Sequence, residues 1–365
     1  MKIARVRSHV ACLPADEPLA DGAGTPGATR DFVVVKITTT DGIDGIGVTF
    51  FGSALTAALK SACDALGARI VGDDAGRPEL IADKLRAAGA NSGPGGIFTL
   101  ALAAIDMALW DIRGKALGVS VSRLLGGMRE TVPAYASGAL MRTQSTADLV
   151  RAARLLAERG WTAMKTQLAL PGQTTPGREV DQIRLIREAI GPDVQLMCDI
   201  NQRWRVDEAI SIGRRLEPFH LHWLEDVTVA DDHRGIAEIR RSIATPVACG
   251  EYLYGLAPFS TMLEARAIDF VMIDMFRAGG ITQWLKIAGM AEAFNLPVVS
   301  HLIPEVHVHL IAAIPNGHIV EYMPWTAGLF HDPPVPALGV MTLPKGPGLG
   351  LAFTREINAA LDARA

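Results

Sequence analysis

The chain has 365 residues, 49% of them hydrophobic and 20% charged, with a formal net charge of −4. That length exceeds the roughly 250–300 residues at which a single hydrophobic core stops growing, so more than one domain is expected. The composition carries no disorder signature, the mildly acidic balance gives no footprint for nucleic acid, and no Lys/Arg run marks a membrane surface; the expected partner is a small molecule.

The N-terminal stretch MKIARVRSHVACLP has charges throughout and lacks the apolar block of a signal peptide. The four cysteines are scattered without a CxxC pair, so neither a zinc site nor a redox pair is indicated and a reduced, cytoplasmic setting is expected. Residues 1 to about 12 read as a strand. The segment PADEPLADGAGTPGATR shows no periodicity and reads as a long loop over residues 13–30, a lid that would bring Asp16, Glu17, Asp21 and Arg30 toward a site. DFVVVKITTTDGIDGIGVTF reads as two strands turning at Asp41 and Gly42, and Phe50 and Phe51 follow as candidate lining residues. Helical spacing then predicts helices over 54–68, 77–89 and 97–117; within the last, the most apolar segment, IFTLALAAIDMALW, is interrupted by Asp106 and too short to span a bilayer. Residues 1–130 thus form an α+β capping domain, with SRLLGG as its exit.

From Thr131 the texture becomes eight apolar runs alternating with helical segments, two of which stop at Gly160 and Gly191. The fold class this predicts is α/β: a TIM barrel of the (β/α)7β type over 131–324, with the capping domain completed by the Pro- and Gly-rich tail of 325–365. The end of that tail reads as strand-like fragments, and Trp325 at its start is a third candidate lining residue.

Polar residues recur at the ends of these runs: Lys165 and Gln167, Asp199 and Asn201, Glu225, Glu251, Asp274, His301 and Glu321. A barrel gathers strand ends at one mouth, where such side chains converge. Acidic residues at strand ends are ordinarily surface groups, but Asp199, Glu225 and Glu251 stand 26 residues apart in sequence, about one strand plus one crossover helix. Three carboxylates brought together need a cation between them, and a hard, oxygen-seeking ion such as Mg²⁺ satisfies them. Asp274 and His301 end consecutive strands and read as a dyad, the carboxylate fixing the imidazole tautomer and leaving its other nitrogen as a base. His307 and His309 on the next helix read as core histidines. Lys165 can hold a substrate carboxylate, whereas Gln167 can hydrogen-bond but not accept a proton.

These stretches resemble the enolase superfamily, and within it the mandelate racemase subgroup. The resemblance lies in AIDMALWDIRGKALG and LLGG in the cap, then MKTQ, MCDINQ, WLED, CGE, the Asp274 run with RAGGIT, VSHLIPEVHVHLIAA and HIVE. It implies abstraction of the proton α to a carboxylate, with Mg²⁺ stabilising the enediolate. Carried over by residue, Asp199, Glu225 and Glu251 match the metal ligands, His301 and Asp274 the dyad, and Glu321 the acid on the substrate carboxylate. Lys165 matches the first lysine of the Lys-x-Lys motif and Asn201 a polar residue beside the metal.

The departure is Gln167, where the family has a second lysine that serves as base on the opposite face. One base remaining implies dehydration of an acid sugar or related 2,3-dihydroxy acid to a 2-keto-3-deoxy acid, with His301 as base and then acid. Lys165, Gln167, Asn201, Arg30 and Trp325 are the expected substrate contacts. Two alternatives stay open: a racemase or epimerase with Lys165 as second base, and a barrel that binds Mg²⁺ and carboxylates without turnover. Members of this kind are often homo-oligomers, which is also expected here.

Overall fold

The computed structural model describes residues 1–21, 23–50, 52–93 and 95–363, with backbone alone for 23–26. The chain opens with an antiparallel sheet of β1 (Ile3–Glu17), β2 (Ala23–Thr39) and β3 (Asp44–Thr49). The helices α1 (Thr56–Ala68), α2 (Pro78–Ala88) and α3 (Gly96–Leu117) follow. Most of α3 is buried, because the sheet covers one side and the rest of the molecule the other. Close approach is possible only where a strand has no side chain: a Cβ at Gly47 would stand 1.9 Å from the Ala104 carbonyl oxygen. Asp111 of α3 ties three segments together, accepting from the Ile46 and Leu349 N–H groups and pairing with Lys115.

After the short α4 (Val121–Leu124) comes the barrel. Its units are β4 (Thr131–Leu140) with α5 (Thr146–Glu158), β5 (Ala163–Gln167) with α6 (Pro176–Ile190), and β6 (Gln195–Asp199) with α7 (Val206–Leu216). Next are β7 (Trp223–Glu225) with α8 (His233–Ser242) and β8 (Val247–Cys249) with α9 (Ala257–Glu264). β9 (Phe270–Asp274) leads into α10 (Met275–Ala278) and α11 (Ile281–Ala293), β10 (Val298–His301) into α12 (Pro304–Ala313), and β11 (Gly317–Tyr322) ends the series. Each strand is parallel to the next and β11 pairs with β4, which closes the ring. The tail contributes β12 (Phe330–His331), β13 (Val340–Thr342), β14 (Ala352–Phe353) and α13 (Arg355–Asp362). Among the described residues no helix is long and apolar enough to cross a membrane.

Two segments depart from the sequence reading. Residues 13–30 are largely not a loop: β1 and β2 stay paired through Leu13 with Arg30 and Pro14 with Thr29, and after a bulge through Glu17 with Ala23. Main-chain hydrogen bonds hold this ribbon, and they need no alternation of apolar and polar side chains, so the Pro-, Gly- and Ala-rich sequence gave no strand signal. The tail does carry short strands, β12 to β14, but its last element is a helix, capped by the Thr354 side chain and lying on β1, where Arg7 donates to the Leu361 and Asp362 carbonyls. The tail also reaches the barrel, since β13 pairs with the start of β4.

The lumen is filled by one inward residue from each strand: Tyr135, Ala163, Met197, Trp223, Ala248, Met272, Val299 and Ile319. Each large apolar side chain buried there stabilises the fold by roughly 1.5–3 kcal/mol relative to exposure. Side chains repeat every second residue along a strand, so the next inward layer toward the mouth is two residues on. That layer is Ser137, Lys165, Asp199, Glu225, Gly250, Asp274, His301 and Glu321. At β8 the position is a glycine with φ +134°, where a Cβ would lie 2.5 Å from the Met272 carbonyl oxygen, and the carboxylate comes instead from Glu251.

His307 and His309 are the core histidines expected, buried in α12 and bonded to the Leu302 carbonyl at 2.7 Å and the Leu349 carbonyl at 2.9 Å. Burial lowers the His309 pKa to about 4. A histidine kept neutral by folding contributes its stability above its unfolded pKa of about 6.5 and loses it as pH falls toward the folded value. The stability advantage of the natural protein over a His309→Gln variant should therefore shrink by about 2 kcal/mol between about pH 7 and pH 5. Urea unfolding of both proteins across that range measures it, and a constant difference would mean that His309 is not held neutral.

Candidate active site

The polar layer meets at the barrel mouth as two connected groups. On one side Asp199, Glu225 and Asp226 bring carboxylate oxygens within 4.8 Å of one another, all buried. Glu225 is fixed at both oxygens, by Trp223 Nε1 at 2.9 Å and Lys165 Nζ at 2.5 Å. The Lys165 ammonium also reaches Glu321 Oε1 at 2.8 Å. Glu321 accepts further bonds from Ser137 Oγ and from the Leu302 N–H, each 2.8 Å. On the other side His301 Nδ1 lies 2.6 Å from Asp274 Oδ2, and Arg277 braces Asp274 through its own N–H at 2.8 Å. The second imidazole nitrogen lies 3.3 Å from Glu251 Oε2 without forming a hydrogen bond to it.

Electrostatics divide the acids. Burial would raise the Glu321 carboxyl, but Lys165, His301 and the Leu302 N–H hold it down at about 2. Burial raises Glu225 to about 7 despite Lys165, and raises Asp226 and Glu251 well above the usual carboxylate range, with their acidic neighbours adding to the shift. Burial alone would lower Lys165; Glu225 and Glu321 outweigh it and keep the ammonium protonated. Burial likewise opposes a charge on His301, and Glu251 and Asp274 reverse that, so its pKa is raised.

One ammonium does not balance so many carboxylates. Both Asp226 oxygens are buried without an N–H or O–H donor, with only the Cys249 thiol beside them. An anionic, oxygen-only set with donors unmet fits a hard divalent cation.

The described residues expected at the site fall into four places. Asp199, Glu225, Glu251, Asp274, His301, Glu321 and Lys165 meet at the mouth, and Gln167 and Asn201 join them: Gln167 Nε2 is 3.3 Å from Asp199 Oδ2 and 3.2 Å from Asn201 Oδ1. Arg30 and Trp325 form a separate cluster around Glu17. Arg30 Nη2 pairs with Glu17 Oε1 at 2.8 Å, Trp325 Nε1 donates to Glu17 Oε2 at 2.8 Å, and the guanidinium stacks 3.9 Å above the indole. A Cβ at Gly138 would lie 2.7 Å from Glu17 Oε2, so the ribbon comes down one residue from Ser137. Phe50 lines a cavity of about 310 Å³ with Tyr252, Asp274 and Leu302. Phe51 lies outside the described residues. Asp16 and Asp21 stay at the ribbon surface, Asp21 paired with Arg159.

Four participants were not singled out in the sequence. Asp226 directly follows Glu225, and Ser137 stands two residues after the lumen residue Tyr135, a signal that strand periodicity supplies. Arg142, two residues beyond β4, and Tyr252, next to Glu251, belong to segments after strands where periodicity gives no direction.

The C-terminal part of the chain, residues 148–357, matches the family model described as enolase C-terminal domain-like. Residues 9–126 match the mandelate racemase / muconate lactonizing enzyme N-terminal domain. The chain is 30% identical over 361 residues to L-talarate/galactarate dehydratase of Salmonella typhimurium, covering 97% of this chain and 90% of that one. It is 32% identical over 358 residues to 3,6-anhydro-alpha-L-galactonate cycloisomerase of Streptomyces coelicolor, covering 97% and 98%. Among solved structures, L-talarate dehydratase from Polaromonas sp. JS666, complexed with Mg and L-glucarate, superposes with a TM-score of 0.90 at 32% identity, covering 98% and 96%.

Proposed function

This chain belongs to the mandelate racemase/muconate lactonizing enzyme group of the enolase superfamily, an enzyme with Mg²⁺ as cofactor, and from that premise we propose that it dehydrates an acid sugar by a one-base mechanism. The substrate is a 2,3-dihydroxy carboxylate and the product a 2-keto-3-deoxy acid. Asp199 and Glu225, whose carboxylate oxygens lie within 4.8 Å of each other and of Asp226, would hold the ion, with Glu251, on the His301 side of the mouth, as the third ligand. When bound, Mg²⁺ supplies a Lewis acid that polarises the substrate carboxylate.

The observation that carries this reading is the inequality of the two faces. On one side His301, oriented by Asp274 at 2.6 Å, offers Nε2 toward the site. On the other side Gln167 holds the place of a base and can only hydrogen-bond. Lys165 does not replace it, because two carboxylates grip its ammonium. His301 takes the α-proton onto Nε2 and returns it to the 3-hydroxyl as that group leaves, a syn elimination within reach of one imidazole. The enol released then tautomerises to the keto acid. The Lys165 ammonium stabilises the negative charge that gathers on the substrate carboxylate in the transition state, and the Glu321 carboxylate, held down by Lys165, His301 and the Leu302 N–H, keeps that ammonium in place rather than acting as an acid.

The ribbon of β1 and β2 closes over this mouth, and Arg30 and Trp325 read the far hydroxyls of the substrate from their cluster around Glu17. The relatives suggest which acids to try. With Mg²⁺ and a panel of galactarate, L-talarate, L-glucarate and simple 2-hydroxy acids, trapping with semicarbazide should reveal a 2-keto product from a sugar acid. A product that is only the inverted acid, with no ketone formed, would replace this reading by racemisation.

A further inference from the structure

Arg142 follows β4 at the barrel mouth and is 7% exposed. Its Nη2 donates to the Asp199 carbonyl at 3.3 Å and to the Asn201 side-chain oxygen, while its Nε is buried without a partner. Neither acceptor is a carboxylate, so a desolvated guanidinium is kept here without a charge-paired hydrogen bond. Such burial costs free energy, and packing alone would be met by an apolar side chain.

The guanidinium gives this cluster a direction. Arginine has only donors, so the Asn201 atom facing it must be the amide oxygen. That same oxygen lies 3.2 Å from the Gln167 amide, and Asp199 Oδ2 lies 3.3 Å from it; both are acceptors, so Gln167 must turn its nitrogen toward them. Its carbonyl oxygen is thereby kept from both partners. The Asn201 nitrogen in turn faces the Tyr252 hydroxyl at 3.3 Å. Asp199 is clamped at both oxygens, by the Asn201 N–H on Oδ1 at 2.7 Å and by Gln167 on Oδ2. Asn201 makes its backbone contact from a left-handed conformation, φ +48°, which asparagine tolerates better than most residues.

We propose that Arg142 is a positioning residue: acting through Asn201, it fixes the rotamer of the metal-binding carboxylate Asp199 and the polarity of the Gln167 and Asn201 amides that face the substrate. The inference rests on the Mg²⁺ site assigned above. It also gives Gln167 a defined part, an acceptor oxygen in place of a base, suited to receiving a substrate hydroxyl.

The test is a double-mutant cycle read by calorimetric Mg²⁺ titration of the resting protein without substrate, using Arg142→Met, Asn201→Ala and the double variant. Removing an outer hydrogen-bond partner of a metal ligand typically costs 10–100-fold in affinity. Arg142→Met should weaken Mg²⁺ binding about tenfold. In the Asn201→Ala background the same change should add less than about twofold, because the side-chain partner through which it acts is gone and only the long 3.3 Å bond to the Asp199 carbonyl remains. Arg142→Lys, which keeps the charge but not the fork, should fall between the natural protein and Arg142→Met, and it serves if the methionine variant does not fold. Mg²⁺ affinity unchanged in both single-site Arg142 variants would overturn the proposal, as would full independent losses in the cycle. If the natural protein itself bound no Mg²⁺, the site assignment beneath the proposal would fall first.

Discussion

His301→Asn is expected to lower kcat by about 10³–10⁴-fold while leaving the melting temperature and Mg²⁺ affinity close to those of the natural protein. The size follows from the residue having two tasks, since one imidazole both takes the α-proton and delivers a proton to the departing hydroxyl. The selectivity follows from the packing. Asparagine has nearly the reach of histidine along the Nδ1 side and can still donate to Asp274, so the 2.6 Å contact that orders the β9 and β10 ends has a substitute. Steady-state kinetics, thermal melting and metal titration on the same preparation check all three quantities. Turnover within tenfold of the natural protein would remove His301 from the chemistry and place the base elsewhere in the mouth.

Stripping Mg²⁺ with a chelator is expected to abolish turnover and to lower the melting temperature by about 3–4 °C relative to protein held at about 100 times its Kd for the ion. Loss of the Lewis acid accounts for the first effect. The second comes from the acids themselves. Burial raises the Asp226 and Glu251 carboxyls well above the ordinary range, and the Asp226 oxygens have no N–H or O–H donor. A cation relieves that strain only in the folded chain, where the strand ends hold the oxygens together, so it stabilises the native state by mass action. Readdition of Mg²⁺ should restore both properties. Full activity after exhaustive chelation would contradict the assignment of the acid cluster.

The catalytic layer was legible in the sequence for a simple reason: it lies two residues above a lumen layer of apolar residues, and strand periodicity carries that offset. Lys165 follows Ala163, Asp199 follows Met197 and His301 follows Val299 by this rule. It fails at β8, where Gly250 occupies the inward position and Glu251 has to be found by its spacing from Glu225 instead. The ribbon of residues 13–30 was not legible, because main-chain pairing rather than side-chain pattern holds it. Asp226 was passed over because alternation assigns it to the opposite face from Glu225, whereas a left-handed backbone at φ +44° turns it back toward the cluster. Arg142 was hidden for a related reason. It belongs to the irregular backbone after β4, and only the completed barrel brings it against Asn201 of β6's far end.

The proposed one-base mechanism depends on Gln167, which can hydrogen-bond but cannot take a proton. Its side chain is committed to Asp199 and Asn201. The most direct measurement is proton NMR of the turning-over sugar acid in D₂O, following the α-proton. With one base, the α-proton signal of substrate should disappear only as the 2-keto-3-deoxy product appears, and the remaining substrate should keep its configuration. Deuterium entering the α-position with inversion of the recovered acid would contradict that mechanism, because a second base would then be acting on the Gln167 face.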